Sequence, residues 1–359
     1  MGPLIALGLM SGTSADGVDA ALIRTDGEAM FEFLGAITLP YSDKLRAELI
    51  KIAKQDVPLE RVMLVERELT QAHVLACEQL KNEFAPHRHV DVIGFHGHTI
   101  RHDAKRQLTW QIGDAALLSS RLKTTVVSDF RRADIAAGGE GAPLAPLFHR
   151  QLFATSDEVT MVLNLGGVAN VTWIGHDGLI AAGDTGPGCG LLDEWAMRHL
   201  NEPFDRDGVL SQTGKVDHSI VSKILEHDFF RRPIPKSADR YEFCFVDVDA
   251  LQPGDGAATL CAVTVAGVVS AVEGLPARPE SIWVTGGGAK HPLLLSMLRE
   301  QLGNVQPIEA AGFRSDSLEA ECFAWLAVRR LRHLPTSLPE TTGCKIATCG
   351  GAVTESPTS

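Results

Sequence analysis

An apolar run, Leu4-Ile5-Ala6-Leu7-Gly8-Leu9-Met10, breaks into Ser11-Gly12-Thr13-Ser14-Ala15-Asp16-Gly17 and resumes as Val18-Asp19-Ala20-Ala21-Leu22-Ile23. Two strand-like runs joined through an Asp-Gly pair predict a β-hairpin, with the glycine taking the positive φ of a tight turn. The loop narrows the choice further. Its three hydroxyl side chains and two glycines leave main-chain N–H groups uncrowded, which is what a polyphosphate site requires. Small polar residues also fill ordinary turns, so the hairpin becomes a site only if the rest of the chain agrees. No lysine lies in the loop, which excludes a Walker-type phosphate loop.

A chain of 359 residues is long for one core and suits two α/β domains, an arrangement that creates a cleft. The apolar N-terminus lacks a basic segment and reads as a strand, not as a secretion signal. No apolar run reaches the length of a bilayer span, so a cytoplasmic protein without a membrane partner is expected. Cys77, Cys189, Cys244, Cys261, Cys322, Cys344 and Cys349 are scattered and form no two short-spaced pairs. That pattern argues against both a disulfide framework and a structural zinc site. A net charge of −12 argues against nucleic acid as a partner. It leaves phosphorylated small molecules open, because a local nest of N–H groups with a bound cation can act against the global field.

After the hairpin, Phe31 to Leu39 reads as a third strand ended by Pro40, followed by helices over about Ser42 to Ala53 and Leu59 to Phe84. Val90 to Phe95 is a short buried strand expected to deliver His96-Gly97-His98-Thr99 at its C-terminal end, where α/β proteins place chemistry. Between Ser128 and Pro146 the composition turns charged and then glycine-rich, and the domain crossover is placed there. The expected domains are 1–132 with 336–359, and 133–335. Strand, glycine turn and strand return over Thr160 to Ile174, continuing through Gly183, a coarse echo of the N-terminus. Helices follow over about Cys189–Leu200, Val216–His227, Ala257–Glu273, His291–Leu302 and Leu318–Leu331, interrupted by a strand, Ser281 to Thr285, that ends in Gly286-Gly287-Gly288. The Ser/Thr/Pro-rich tail from Thr354 is expected to fray.

Three glycine-rich turns at strand ends, Ser11 to Gly17, Asn164 to Asn170 and Thr285 to Ala289, call for one explanation. Together they match the plan of the actin, sugar-kinase and heat-shock ATPase superfamily: a two-domain, actin-like (ribonuclease H-like) α/β fold with a central inter-domain cleft. Gly8 to Asp19 closely resembles the opening signature of anhydro-N-acetylmuramic acid kinases. The resemblance continues in order through His96 to Thr99, Trp110 to Asp114, Asp129-Phe130-Arg131, Gly138 to Leu144, Asn164 to Asn170, Asp184 to Gly188, Val284 to Ala289, Glu319-Ala320 and Phe323 to Ala327. It covers nearly the whole chain.

That resemblance implies an enzyme that opens the 1,6-anhydro ring of 1,6-anhydro-N-acetylmuramic acid with water while moving the γ-phosphate of ATP to O6, with ATP and Mg2+ required. One general base can serve where ordinary glycosidases use two carboxyl groups. The family's catalytic aspartate matches Asp184, whose alternative reading is a helix N-cap. Ser11, Gly12, Thr13, Ser14, Ala15, Asp16, Gly17, Val18 and Asp19, with Asn164, Gly166 and Gly167, are expected at the phosphates. Gly286, Gly287 and Gly288 are expected beside adenosine. Asp16 or Asp19 would hold magnesium through water. For the lactyl carboxylate the nearest motif-borne cations are Arg131 and Arg132, either of which could instead pair with Asp129 or Asp134. His96 and His98 would donate to sugar hydroxyls, pack under the loop, or, least favoured, bind a metal. Glu319 would accept from a sugar hydroxyl or complement a helix dipole. The family pattern carries glutamine where His98 and Glu140 stand and asparagine near Cys189, departures that bear on sugar affinity. Partners would be the sugar and ATP, with a homodimer admitted. The alternatives are a kinase of another small sugar or carboxylate and an ATP-gated binding module.

Overall fold

A computed structural model describes residues 2–154, 157–238 and 240–356. In chain order the strands are β1 (Leu4–Ser11), β2 (Gly17–Thr25), β3 (Phe31–Pro40), β4 (Val92–Asp103), β5 (Leu108–Ile112), β6 (Thr125–Ser128), β7 (Thr160–Leu165), β8 (Val168–Ile174), β9 (Ile180–Pro187), β10 (Ser281–Thr285), β11 (Val305–Pro307) and β12 (Ala352–Thr354). The helices are α1 (Asp43–Lys54), α2 (Leu59–Phe84), α3 (Ala115–Leu122), α4 (Arg132–Ala136), α5 (Pro146–Leu152), α6 (Gly190–Leu200), α7 (His218–Leu225), α8 (Asp228–Arg231), α9 (Pro253–Glu273), α10 (Pro292–Leu302), α11 (Leu318–Leu331) and α12 (Pro339–Thr342).

The chain forms two compact units: Met1–Gln151 with Asp316–Pro339 and Gly343–Ser359, and Leu152–Ser315 with Glu340–Thr342. This corrects the expected boundaries, since 133–151 and 316–335 belong to the first unit. Packing decides the matter. The α11 helix lies on β1, β2 and β4, and Trp325 stands 5.8 Å from Phe148, which in turn meets Phe31 at 5.3 Å.

The first unit's sheet runs β12-β6-β4-β1-β2-β3, with β5 paired to β4. Strands β1, β2 and β3 are antiparallel neighbours, whereas β4 and β6 run parallel to β1. The α11 helix packs on β1, β2 and β4, and α2 on β2 and β3, so β1 is a continuous apolar run and not an alternating one. Gly8 and Gly94 are register partners in β1 and β4. A Cβ on Gly8 would lie 1.8 Å from Ala320 O, and one on Gly94 2.0 Å from Phe323 O, so the pair lets the helix backbone rest directly on the sheet.

The second unit repeats the plan. Its sheet runs β11-β10-β7-β8-β9, with β7, β8 and β9 antiparallel and β10 and β11 parallel to β7. The echo expected from the sequence is therefore a shared strand order. The α9 helix corrects another expectation, because it is long and apolar enough by composition to cross a membrane. Its buried residues, among them Leu260, Val265 and Val268, belong to the core of the second unit. The β12 strand takes Ala352 to Thr354 into the first sheet through β6, and 357–359 lie outside the described residues.

Candidate active site

In the first unit β1 ends at Ser11 and β2 opens at Gly17. The positive φ of the turn falls on Ala15, at 55°, and not on glycine. Gly17 is already in β2 opposite Pro40, where a Cβ would stand 2.5 Å from Leu39 O. Close approach of β3, not turn conformation, is what this glycine serves. Thr13, Ser14 and Asp16 are exposed, Gly12 is half-buried, and Ala15 and Val18 are buried. Ser11 is buried too. Its Oγ accepts from the Tyr41 hydroxyl at 2.8 Å and lies 2.9 Å from His98 Nδ1.

Asp16 forms an ion pair with Arg46 at 2.9 Å. Asp19 accepts from Thr38 Oγ1 at 2.6 Å. Burial raises the Asp19 pKa against that hydrogen bond, and the charges of Asp316 and Asp16 raise it further. A divalent cation fits such a carboxylate, because it relieves repulsion among like charges. Magnesium keeps several waters and takes one or two carboxylates with phosphate oxygens. It therefore needs no cage of three His, Cys, Asp or Glu groups, and none occurs among the described residues.

His96 and His98 do not follow a strand, as expected, but lie inside β4, which continues to Asp103. His96 Nδ1 is 2.9 Å from Gly97 O. Since a carbonyl can only accept, Nδ1 carries the proton and Nε2 accepts from Arg131 Nε at 3.1 Å and Nη2 at 3.0 Å. Burial and the Arg131 charge hold His96 well below the usual histidine pKa, so it is neutral. Arg131 also donates from Nη1 to Gly141 O at 2.8 Å. Arg132 turns elsewhere, 3.4 Å from Asp129, and the structural pairing expected for one of the two arginines applies to it. Glu319, in the first turn of α11, keeps solvent contact. Protein packed around it raises its pKa, with Arg131 opposing the shift and Asp19 adding to it. His96, Arg131 and Glu319 thus form one electrostatic cluster.

In the second unit one register row crosses four strands: Thr285 of β10, Asn164 of β7, Asn170 of β8 and Asp184 of β9. A bulge between Ala169 and Asn170 sets the last step; such bulges re-aim side chains. Asp184 is inside β9 and 6% exposed, not beyond the strand's end as expected. The helix-cap alternative is excluded, because the residue capping α6 is Cys189. A strap from 234 to 238 covers the edge of β9. Asp184 N–H donates to Lys236 O at 2.8 Å, and Ala238 N–H donates to Asp184 Oδ2 at 2.8 Å. Lys236 is buried, with Nζ donating to Phe229 O and Arg232 O, each at 2.9 Å. Burial and the Arg232 charge lower its pKa to about 8, with Asp184 opposing.

The Gly166-Gly167 turn accepts N–H bonds from Gly188, Cys189 and Gly190, fixing it to the start of α6. Gly286 has φ of 81° and donates its N–H to Ser315 Oγ at 2.8 Å. Gly287 and Gly288 begin a 3-10 turn that leads into His291.

The motifs missed Tyr41 and Lys236, and Asn170, though it closes the Asn164–Asn170 motif, was not among the expected site residues. Tyr41 was detectable as one of two tyrosines, placed just after a strand-ending proline. Asn170 stood out as an amide inside an apolar strand.

The family model for anhydro-N-acetylmuramic acid kinase matches residues 4–356. The chain belongs to the anhydro-N-acetylmuramic acid kinase family. Family members include the anhydro-N-acetylmuramic acid kinase of Acidiphilium cryptum, 46% identical with 97% of each chain covered. That of Paramagnetospirillum magneticum is 47% identical over 97% of this chain and 99% of its own. The family resemblance carried by the motifs is thus borne out along the whole chain. Among solved structures, an ethanolamine utilization protein, EutJ, from Carboxydothermus hydrogenoformans aligns over 90% of both chains at 14% identity and a TM-score of 0.44. A ROK family glucokinase from Streptomyces griseus aligns over 90% of this chain and 99% of its own at 12% identity and a TM-score of 0.37. The strand order described above, not these likenesses, fixes the fold plan of this kinase family member.

Proposed function

We propose that the protein hydrolytically opens 1,6-anhydro-N-acetylmuramic acid and phosphorylates O6 with ATP, giving N-acetylmuramic acid 6-phosphate and ADP. Family membership supports the reaction, and the register row ending at Asp184 supports the assignment of its base. Asp184 takes a proton from water as the water oxygen bonds to the anomeric carbon. The bond from that carbon to O6 breaks, and O6 keeps the electron pair and bonds to the γ-phosphorus as ADP leaves. One proton remains on Asp184 and passes to solvent. Ala238 N–H on Oδ2 holds the carboxylate in one rotamer, which suits a base that must meet water in a fixed direction.

Phosphoryl transfer asks for positioning and charge neutralisation. The N–H groups of 12–17 serve the first, with Asn164, Gly166 and Gly167. Magnesium held at Asp19 through water would supply the second, countering phosphate charge. Asp16, already paired with Arg46, is the less suited of the two loop carboxylates. Arg131, steadied by neutral His96, brings its positive charge to the lactyl carboxylate, and Glu319 accepts from a sugar hydroxyl. The Gly286–Gly288 turn lies beside adenosine. ATP as phosphoryl donor agrees with a cytoplasmic location.

The test is direct. Incubation with Mg·ATP and the anhydro sugar should give a product heavier by one water and one phosphoryl group, detected by mass spectrometry. Asp184→Asn should lose turnover by about a thousandfold or more while still binding nucleotide. Retention of the parent rate by that variant removes Asp184 as the base.

A further inference from the structure

Tyr41 sits where β3 ends and is 8% exposed. Its N–H donates to Asp16 O at 3.0 Å, and its hydroxyl donates to Ser11 Oγ at 2.8 Å. Ser11 is the last residue of β1 and Asp16 immediately precedes β2, so a single residue arriving from a third strand grips both ends of the loop. Ser11 Oγ also lies 2.9 Å from Nδ1 of His98, its register partner in β4. Whichever imidazole nitrogen carries the proton, the serine oxygen has two buried protein partners, and its orientation is set. The His73 ring stands 6.5 Å from the Tyr41 ring and packs edge-on against Phe95 at 5.0 Å, backing the chain with apolar surface.

We propose that Tyr41 is a positioning residue of the phosphate loop, and that the Tyr41–Ser11–His98 chain fixes the separation of the loop ends so that its N–H groups converge before nucleotide arrives. The proposal rests on the hairpin being the phosphate cradle. A loop ordered in advance loses less backbone freedom on binding. Loss of the chain therefore weakens recognition of the triphosphate and leaves recognition of the nucleoside alone. His98 enters the same argument. Its ring nitrogen lies 2.9 Å from Ser11 Oγ, and a glutamine side chain, which carries both a donor and an acceptor, can serve the same bond.

The experiment measures, by calorimetry on the full chain, affinity for Mg·AMPPNP and for adenosine. Tyr41→Phe should weaken AMPPNP binding about three- to tenfold, the range expected for one buried hydrogen bond, with adenosine affinity unchanged. His98→Leu should lose the same factor, the double variant no more than the larger single loss, and His98→Gln should match the parent. Losses that multiply in the double variant, or adenosine affinity that falls in step with AMPPNP, overturn the proposal. Thr13→Asp separates it from its premise. If that charge leaves AMPPNP affinity intact, the hairpin is not the cradle. If it abolishes binding while Tyr41→Phe is silent, only the positioning role is lost.

Discussion

Acidification should unfold the first unit well before its carboxylates protonate in bulk, because that unit buries neutral histidines. His73, His98 and His149 are buried, and burial lowers their pKa to about 4, about 4 and about 3 from an ordinary 6.5. His96 is held well below that value by burial and Arg131. Between the ordinary and the folded pKa the unfolded chain binds protons that the native state refuses. Stability is therefore complete above about pH 6.5 and falls as the pH drops toward about 4. At about pH 5 each of the three histidines removes about 2 kcal/mol, or about 6 kcal/mol if they act independently. That is comparable with the total stability of a typical domain, about 5–15 kcal/mol. Asp19 and Glu319, whose pKa values are raised, act in the opposite direction and soften the loss. Urea unfolding at about pH 7.5 and about pH 5, followed by hydrogen exchange to resolve the two units, measures the difference. His73→Leu should shrink the pH-dependent loss in the first unit by about 2 kcal/mol; it gives up the Nδ1–H bond to Leu69 O at 2.8 Å at every pH, while Nε2 is buried without a hydrogen-bond partner. An unchanged loss in that variant, or a His73 ring-proton resonance titrating near pH 6.5 in the folded protein, refutes the reasoning.

Two further outcomes test the scaffold. Gly94→Ala drives a methyl group into the α11 backbone, 2.0 Å from Phe323 O, and should cost about 3 kcal/mol or more, read as a lower urea midpoint at unchanged pH. Lys236→Met removes the ammonium that ties the strap to Phe229 and Arg232; kcat should fall about tenfold or more with nucleotide affinity kept, and equal changes in both would limit Lys236 to general stability.

The sequence revealed elements whose pattern is local. The α1 helix carries its own N-cap, Ser42 accepting from Leu45 N–H, and β1, β2 and β7 are apolar runs bounded by glycine turns. What escaped depends on distant partners. The β12 strand has three residues and exists because β6 offers a free edge. His96 to Thr99 looked like a loop because Gly97 and two histidines interrupt the apolar run, yet Gly97 takes φ of 75° while the strand continues on both sides. The domain boundary followed composition at 128–146, but the fold places it by what α5 and α11 bury. The motifs led to Asp184, Asn164 and the hairpin. They could not reveal that Arg132 faces Asp129, that Lys236 holds the strap beside Asp184, or that Ala15 and not Gly17 makes the turn.

The split of the first unit into N-terminal and C-terminal pieces governs how the molecule can be made. The sheet begun by the opening hairpin stays uncovered on its α11 side until residues 318–331 are synthesised, and its β6 edge stays open until 352–354 follow. The second unit, apart from Glu340–Thr342, lies within Leu152–Ser315 and is nearly all synthesised before then. On the ribosome nearly all of the later-encoded body is therefore available to fold while the earlier one still lacks α11 and β12, leaving its apolar strands transiently exposed. A truncation near the C-terminus consequently damages the half of the protein that was translated at the start.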